Sequence, residues 1–143
     1  MSLIVSRETY DAITAHGEQG YPNEICGLLL GKDEEIGRTI RALVPVDNSF
    51  EADEQYHRFL ITPDDMFRAE RRARQEGLDV LGVYHSHPDA PAQPSEYDRD
   101  HAAWTTWSYL IVSVREGRVA ELRAWKLRED RGGYDEEDVD VQS

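Results

Sequence analysis

Leu78-Asp79-Val80-Leu81-Gly82-Val83-Tyr84-His85-Ser86-His87-Pro88 is an apolar, β-branched run that closes on two histidines and a proline. Its first seven residues read as a buried strand. Side chains two apart on a strand share a face, so His85 and His87 project the same way. Pro88, Pro91 and Pro94 stop the strand and stiffen the turn after it. Ser95 then has the character of a helix N-cap, and Asp98 falls three residues on, in that helix's first turn. A strand end with two imidazoles, facing a helix start with a carboxylate, offers three ligands to one metal ion. The fourth position stays free for water, as in catalytic rather than structural zinc sites.

Each residue also has a plainer reading. Ser-x-x-Asp is close to a capping box, which needs no metal. Histidines at strand ends are often satisfied polar groups. The combination of two same-face histidines, a proline-punctuated loop and an acidic first turn favours a metal. A closed structural zinc site would draw on several cysteines, and Cys26 is the only one in the chain.

Upstream, Pro22-Asn23-Glu24-Ile25-Cys26-Gly27-Leu28-Leu29-Leu30-Gly31 holds a second element of chemistry. Leu28 to Leu30 reads as a core strand, with Glu24 at its mouth. That carboxylate is either a solvated strand-end charge or a general base, taking a proton from the attacking water and returning it to a leaving amine. Sequence separation alone does not bring Glu24 to His85. Cys26, among apolar neighbours, reads as a small buried residue rather than a nucleophile.

Glu24 with Cys26-Gly27-Leu28-Leu29-Leu30-Gly31 behind it, then His85-Ser86-His87-Pro88, then Ser95-x-x-Asp98, resembles the signature of the JAMM (MPN-plus) metallopeptidases. The resemblance covers the chain from its first strand to about Trp125. It implies that His85, His87 and Asp98 bind Zn2+, that Glu24 is the catalytic acid and base, and that the Ser95 hydroxyl helps stabilise the oxyanion. None of these five positions departs from the motif. The implied fold is α/β, a mixed, curved β-sheet flanked by helices in a cytidine-deaminase-like sandwich. The short connections leave little room for segments that grip a linked ubiquitin, so the chain is more similar to the small stand-alone prokaryotic members. Those act on conjugates at the C-terminus of ubiquitin-like sulfur-carrier proteins with a Gly-Gly tail, either a carrier–cysteine adduct or a Gly-Gly-X precursor. The alternatives are a deubiquitinase-like isopeptidase, a module that holds such a tail without cutting it, and a small-molecule zinc amidohydrolase. A deaminase would need a P-C-x-x-C motif, which the sequence lacks.

Composition narrows the partners. The chain has 143 residues, enough for one core but short for two domains. Its net charge of −13 argues against nucleic acid, whose phosphates want clustered Lys and Arg. No apolar stretch is long enough for a membrane span, no signal-type segment opens the sequence, and a single cysteine fits a reducing cytoplasm. Lys32 and Lys126 are the only lysines, so the surface is acidic and arginine-based, as in proteins adapted to high salt. Arg68, Arg71, Arg72 and Arg74, with Glu70 and Glu76 between them, read as a solvated helix face.

Outward from the central motif, the expected order is a strand at Leu3 to Val5, a helix from Ser6 to about Gln19 with Tyr10 and Ile13 inward, and strands at Glu24 to Gly31 and Ile36 to Pro45. A polar loop covers residues 46–54, Gln55 to Ile61 reads as a strand, and Thr62-Pro63 starts a helix that Gly77 ends. After the Ser95 helix, Tyr109 to Val114 and Val119 to Leu127 form a hairpin around Glu116-Gly117. Residues 1–127 are the metallopeptidase-like domain. Residues 128–143 are a charged, acidic tail in which Val139 and Val141 could add a short strand. Trp104 and Trp107 read as core support. His16 and His57 show no partner pattern, and His101 is an exposed helix histidine or an orienting donor for Asp98.

Overall fold

Strand β4 (Asp79–Pro88) runs through the middle of the protein in this computed structural model, which describes residues 2–102 and 104–143. Around it the elements follow as β1 (Ser2–Ser6), α1 (Arg7–Gly20), β2 (Cys26–Glu34), β3 (Gly37–Val46), α2 (Pro63–Glu76), β4, α3 (Glu96–His101), β5 (Ser108–Arg115), β6 (Arg118–Leu127) and β7 (Tyr134–Gln142). The sheet order is β1-β3-β2-β4-β5-β6-β7. The pairs β1–β3, β1–β7 and β4–β5 are parallel and the others antiparallel. The mixed sheet curves until β1 meets β7, which closes it into a barrel and leaves no free edge.

Alternation along the strands sorts the side chains into two cores. Leu29, Tyr84, Leu110 and Val112 face α1 with Ile13, Leu3 and Val5. Leu28, Val83, Tyr109 and Leu127 face α2 with Ala69 and Met66. Helix α1 starts where the Ser6 hydroxyl accepts from Thr9 N–H. Helix α2 starts at a reciprocal Thr62–Asp65 capping box with Pro63 behind it, and ends at Gly77, whose φ of 69° suits a residue without a side chain. A Cβ on Gly27 would run into the Tyr84 ring, so glycine is what lets β2 lie close beside β4.

Two expectations change. Gln55 to Ile61 is not a strand: a 3-10 turn at Ala52–Glu54 leads into turn and irregular chain up to α2. Every strand of the closed sheet already has two neighbours, so this segment finds its partners elsewhere. The Asn48 carboxamide accepts from Leu60 N–H and donates to the Arg58 carbonyl in place of a strand neighbour. Residues 128–143 carry a nine-residue strand, longer than the hint at Val139 and Val141. Strand β7 pairs with β6 and β1, and its Glu137 accepts from Ser108 Oγ, which also receives a hydrogen bond from the buried Arg38.

Candidate metal centre

The register of β2 against β4 builds the site. Cys26 lies opposite His85 in an antiparallel pair, so stepping back two residues on β2 and forward two on β4 sets Glu24 against His87. The alternation that turns Leu28 toward α2 turns Cys26 and Glu24 the same way, and Val83, His85 and His87 share that face. Ser86 locks the alignment: its Oγ accepts from Ile25 N–H at 2.9 Å, and its own N–H donates to the Ile25 carbonyl at 3.1 Å. The serine between the two histidines thereby ties the histidine-bearing strand to the mouth of β2.

Three donor atoms converge at the end of β4. His85 Nε2 and His87 Nε2 are 3.1 Å apart, and Asp98 Oδ2 lies 3.0 Å from His87 Nε2 and 3.5 Å from His85 Nε2. Asp98 is placed by α3, where it forms a reciprocal capping box with Ser95: its N–H donates to Ser95 Oγ and its Oδ2 accepts from Ser95 N–H, both at 3.0 Å. The capping role and the site role therefore belong to one carboxylate. His87 Nδ1 donates to the Pro91 carbonyl at 2.8 Å, which leaves Nε2 with its lone pair aimed at the other two donors.

This donor set fits a divalent cation. Lone pairs at 3.0 to 3.5 Å with few protons between them repel unless a positive charge sits among them. Glu24 also lies in range, since ligand atoms of Glu24, His85 and His87 fall within 4.8 Å of one another. The Asp98 oxygen is the nearer of the two carboxylates to both imidazoles. Buried Glu24 Oε1 has no hydrogen-bond partner among the described residues, which suits a group kept free for chemistry.

Electrostatics separate the two carboxylates. Burial pushes Glu24 up to about 8, against the pull of His87. Burial would raise Asp98 too, but the charges and hydrogen bonds of His85 and His87 outweigh it and hold that carboxyl well below the usual range. Burial lowers His85, while for His87 the hydrogen bond and charge of Asp98 overcome burial and raise it. One carboxylate stays ionised and one can carry a proton near neutral pH, the division that acid–base chemistry uses.

Two cavities flank the centre. An apolar one of about 190 Å³ touches His85 and Asp98 and is walled by Phe59, Met66, Trp104 and Trp107. Phe59 stacks on the His85 ring at 4.5 Å between centroids. Trp104 and Trp107 stack on each other at 4.4 Å and wall this cavity; Trp107 packs against the α2-side core as expected, whereas Trp104 is exposed. The second cavity, of about 300 Å³, brings the polar side chains of Glu24, His57, Arg58, His87 and Ser95 together with Tyr56 and the prolines of the loop after β4. His101 donates to the Tyr97 carbonyl and stacks on that ring rather than orienting Asp98. His16 pairs with the Tyr84 hydroxyl, away from the donors. Buried Cys26 is pushed up to about 12 by burial, no nucleophile at neutral pH.

The residues that escaped the sequence reading are Asn48, Arg58 and Phe59. All belong to the irregular chain between β3 and α2, where no periodicity marks them.

The family described as prokaryotic homologues of the JAB domain matches residues 6–128. The chain belongs to this family. A desampylase of Haloferax volcanii is 33% identical over 121 residues, covering 82% of this chain and 84% of the relative. A CysO-cysteine peptidase of Mycobacterium tuberculosis is 28% identical over 139 residues, covering 97% of this chain and 90% of the relative. A solved structure of a Salinibacter ruber protein matches with a TM-score of 0.76 at 40% identity, covering 100% of this chain and 92% of that one. The curved mixed sheet flanked by helices is thus the JAB/MPN fold, and no helix among the described residues is long and apolar enough to cross a membrane.

Proposed function

We propose that this chain is a zinc metallopeptidase that hydrolyses the amide bond at the C-terminus of a ubiquitin-like sulfur-carrier protein in the cytoplasm. The observation that carries the proposal is the convergence of His85 Nε2, His87 Nε2 and Asp98 Oδ2 beside a buried, unpartnered Glu24. The peptidase name of one relative, the desampylase name of another and the complete JAMM motif support the reaction and the substrate class.

His85, His87 and Asp98 would hold the zinc, a borderline ion well suited to imidazole and carboxylate. When bound it supplies a Lewis acid and lowers the pKa of water toward about 7. Glu24, raised to about 8 by burial, has a proton affinity matched to neutral pH, so it can take the proton of the attacking water and return it to the leaving amine. The Ser95 oxygen accepts from Asp98 N–H, which leaves the hydroxyl proton free to donate to the developing oxyanion. Pro91, through its carbonyl, keeps the His87 ring in one tautomer and orientation. Phe59 covers the His85 ring and limits water on that side. A thin Gly-Gly tail suits the approach to donors recessed at the end of a strand.

Intact-mass analysis tests this directly. A carrier ending in Gly-Gly-X, incubated with the zinc-loaded protein, should lose the mass of X. Glu24→Gln should keep its zinc and slow the cleavage by about 10²–10⁴-fold. A carrier bound tightly but never shortened would make the chain a binding module, and a fully active Glu24→Gln would remove Glu24 from the mechanism.

A further inference from the structure

Arg58 lines the same groove as Glu24, and the proposed hydrolytic steps assign it no role. Among the described residues it is the only arginine or lysine lining either cavity at the metal centre. Its guanidinium stacks over the Tyr97 ring at 3.9 Å and gives one hydrogen bond to the His57 carbonyl at 3.0 Å. A guanidinium carries five N–H donors in a planar fork, so most of them remain available. Its backbone is tied to that of Glu24, because the Asn48 carboxamide donates to both carbonyls, at 2.9 Å to Arg58 and 3.0 Å to Glu24.

The direction of the reaction says what belongs in this groove. Hydrolysis breaks the C–N bond of the scissile amide. The hydroxyl of water joins the carbonyl carbon, and the proton taken by Glu24 goes to the nitrogen. The leaving amine therefore lies against Glu24, on the groove that Glu24 lines. If that amine belongs to a terminal amino acid, a carboxylate follows only two bonds beyond the nitrogen. In a chain of net charge −13, beside Glu24 and Asp98, a second anion there is repelled unless a cation meets it. If the amine is instead a lysine side chain, four methylenes follow and no charge needs an answer.

We infer that Arg58 is a specificity-determining residue that binds the α-carboxylate of the released amino acid. The chain is then a carboxy-terminal exopeptidase that removes one residue from its carrier, rather than an isopeptidase. The inference rests on the proposed peptidase activity. The guanidinium fork meets the carboxylate edge-on, as arginine does in bidentate pairs, while Tyr97 holds its face.

Three synthetic peptides test it with the zinc-loaded protein: one ending in Gly-Gly-Ala as the free acid, the same peptide as the C-terminal carboxamide, and the same Gly-Gly tail joined to a lysine side chain. The parent should prefer the free acid over the other two by about ten- to hundredfold in kcat/KM, the worth of hydrogen bonds to a charged group. In Arg58→Gln the acid-to-amide ratio should fall toward unity. Arg58→Lys, which keeps the charge and loses the fork, should retain part of the preference. Equal cleavage of acid and amide by the parent, preference for the lysine-linked tail, or an unchanged ratio in Arg58→Gln would overturn the inference and leave the peptidase standing. A protein that cut none of the three would fail as this kind of peptidase, and the role of Arg58 would fall with it.

Discussion

Asn48 Nδ2 donates to the backbone oxygen of Glu24 at 3.0 Å, fastening the loop after β3 to the mouth of β2. The same carboxamide accepts from Phe50 and Leu60 N–H and donates to the Arg58 carbonyl, so one side chain serves four backbone groups. Neither residue is near the other in sequence. Their contact holds the proposed general base in place and keeps the irregular chain that walls both cavities against the barrel.

Asn48→Ala should therefore hurt twice. Leaving these partly buried backbone groups unpaired costs about 1–3 kcal/mol of stability, measurable by urea denaturation. Displacing Glu24 by a fraction of an ångström to about 1 Å should lower kcat up to about a hundredfold with zinc retained. A stable variant with parental kcat would show that Glu24 is held without Asn48.

His87→Ala removes the imidazole whose Nε2 lies closest to both other donors. Its zinc content, read by elemental analysis, should fall to a small fraction of the parent's. Chelation should lower the melting temperature of the parent, because bound metal stabilises the folded state by mass action, and should scarcely move that of the variant. Equal zinc in both proteins would place the ion elsewhere.

Asp65 in the α2 capping box provides a pH-dependent contribution to stability. Burial works against its charge, but the backbone and side chain of Thr62 and the Arg68 guanidinium outweigh it, leaving its pKa below the usual 3.8. A depressed carboxyl stabilises the fold above its unfolded pKa, and that stability drains away as pH falls through the folded value. Asp65→Asn should thus be less stable than the parent near neutral pH by about 1 kcal/mol, the scale of a helix cap. The gap should narrow as pH falls below 3.8 and on through the lower folded value, where the folded carboxylate takes up its proton. Urea midpoints across that range measure it; a gap that widened in acid would contradict the sign.

Salt should stabilise this protein. With 29 acidic residues against 16 basic ones, repulsion outweighs the exposed ion pairs such as Arg128–Asp135. Raising the salt from about 0.1 M to about 1 M shortens the screening length from about 10 Å to about 3 Å and relieves that repulsion. The melting temperature should climb between those conditions. A fall would mean that the ion pairs dominate.

The α/β class, both long helices, the hairpin of β5 and β6, and the strand, turn and capped helix that carry His85, His87, Ser95 and Asp98 were legible because each depends on local chemistry. Caps, a C-terminal glycine, alternating apolar runs and a proline-stiffened turn act within a few residues of one another. Segment 55–61 was misread because Tyr56, Phe59 and Ile61 are residue types that favour strands, while the closed barrel offers the segment no neighbour. The extent of β7 was hidden for the opposite reason: its acidic residues look like a solvated tail until β1 and β6 supply partners on both sides.

The amino-acid order alone determined which side chains are suited to a metal and which way His85 and His87 point, because strand alternation is a property of the backbone. Only the tertiary structure decided that Glu24 meets them, since that follows from the antiparallel pairing of Cys26 with His85 and from the Ser86 hydrogen bonds that hold it. It likewise placed Arg58 and Asn48 beside the centre, through side-chain-to-backbone bonds that close over long stretches of chain and leave no periodic trace in the sequence.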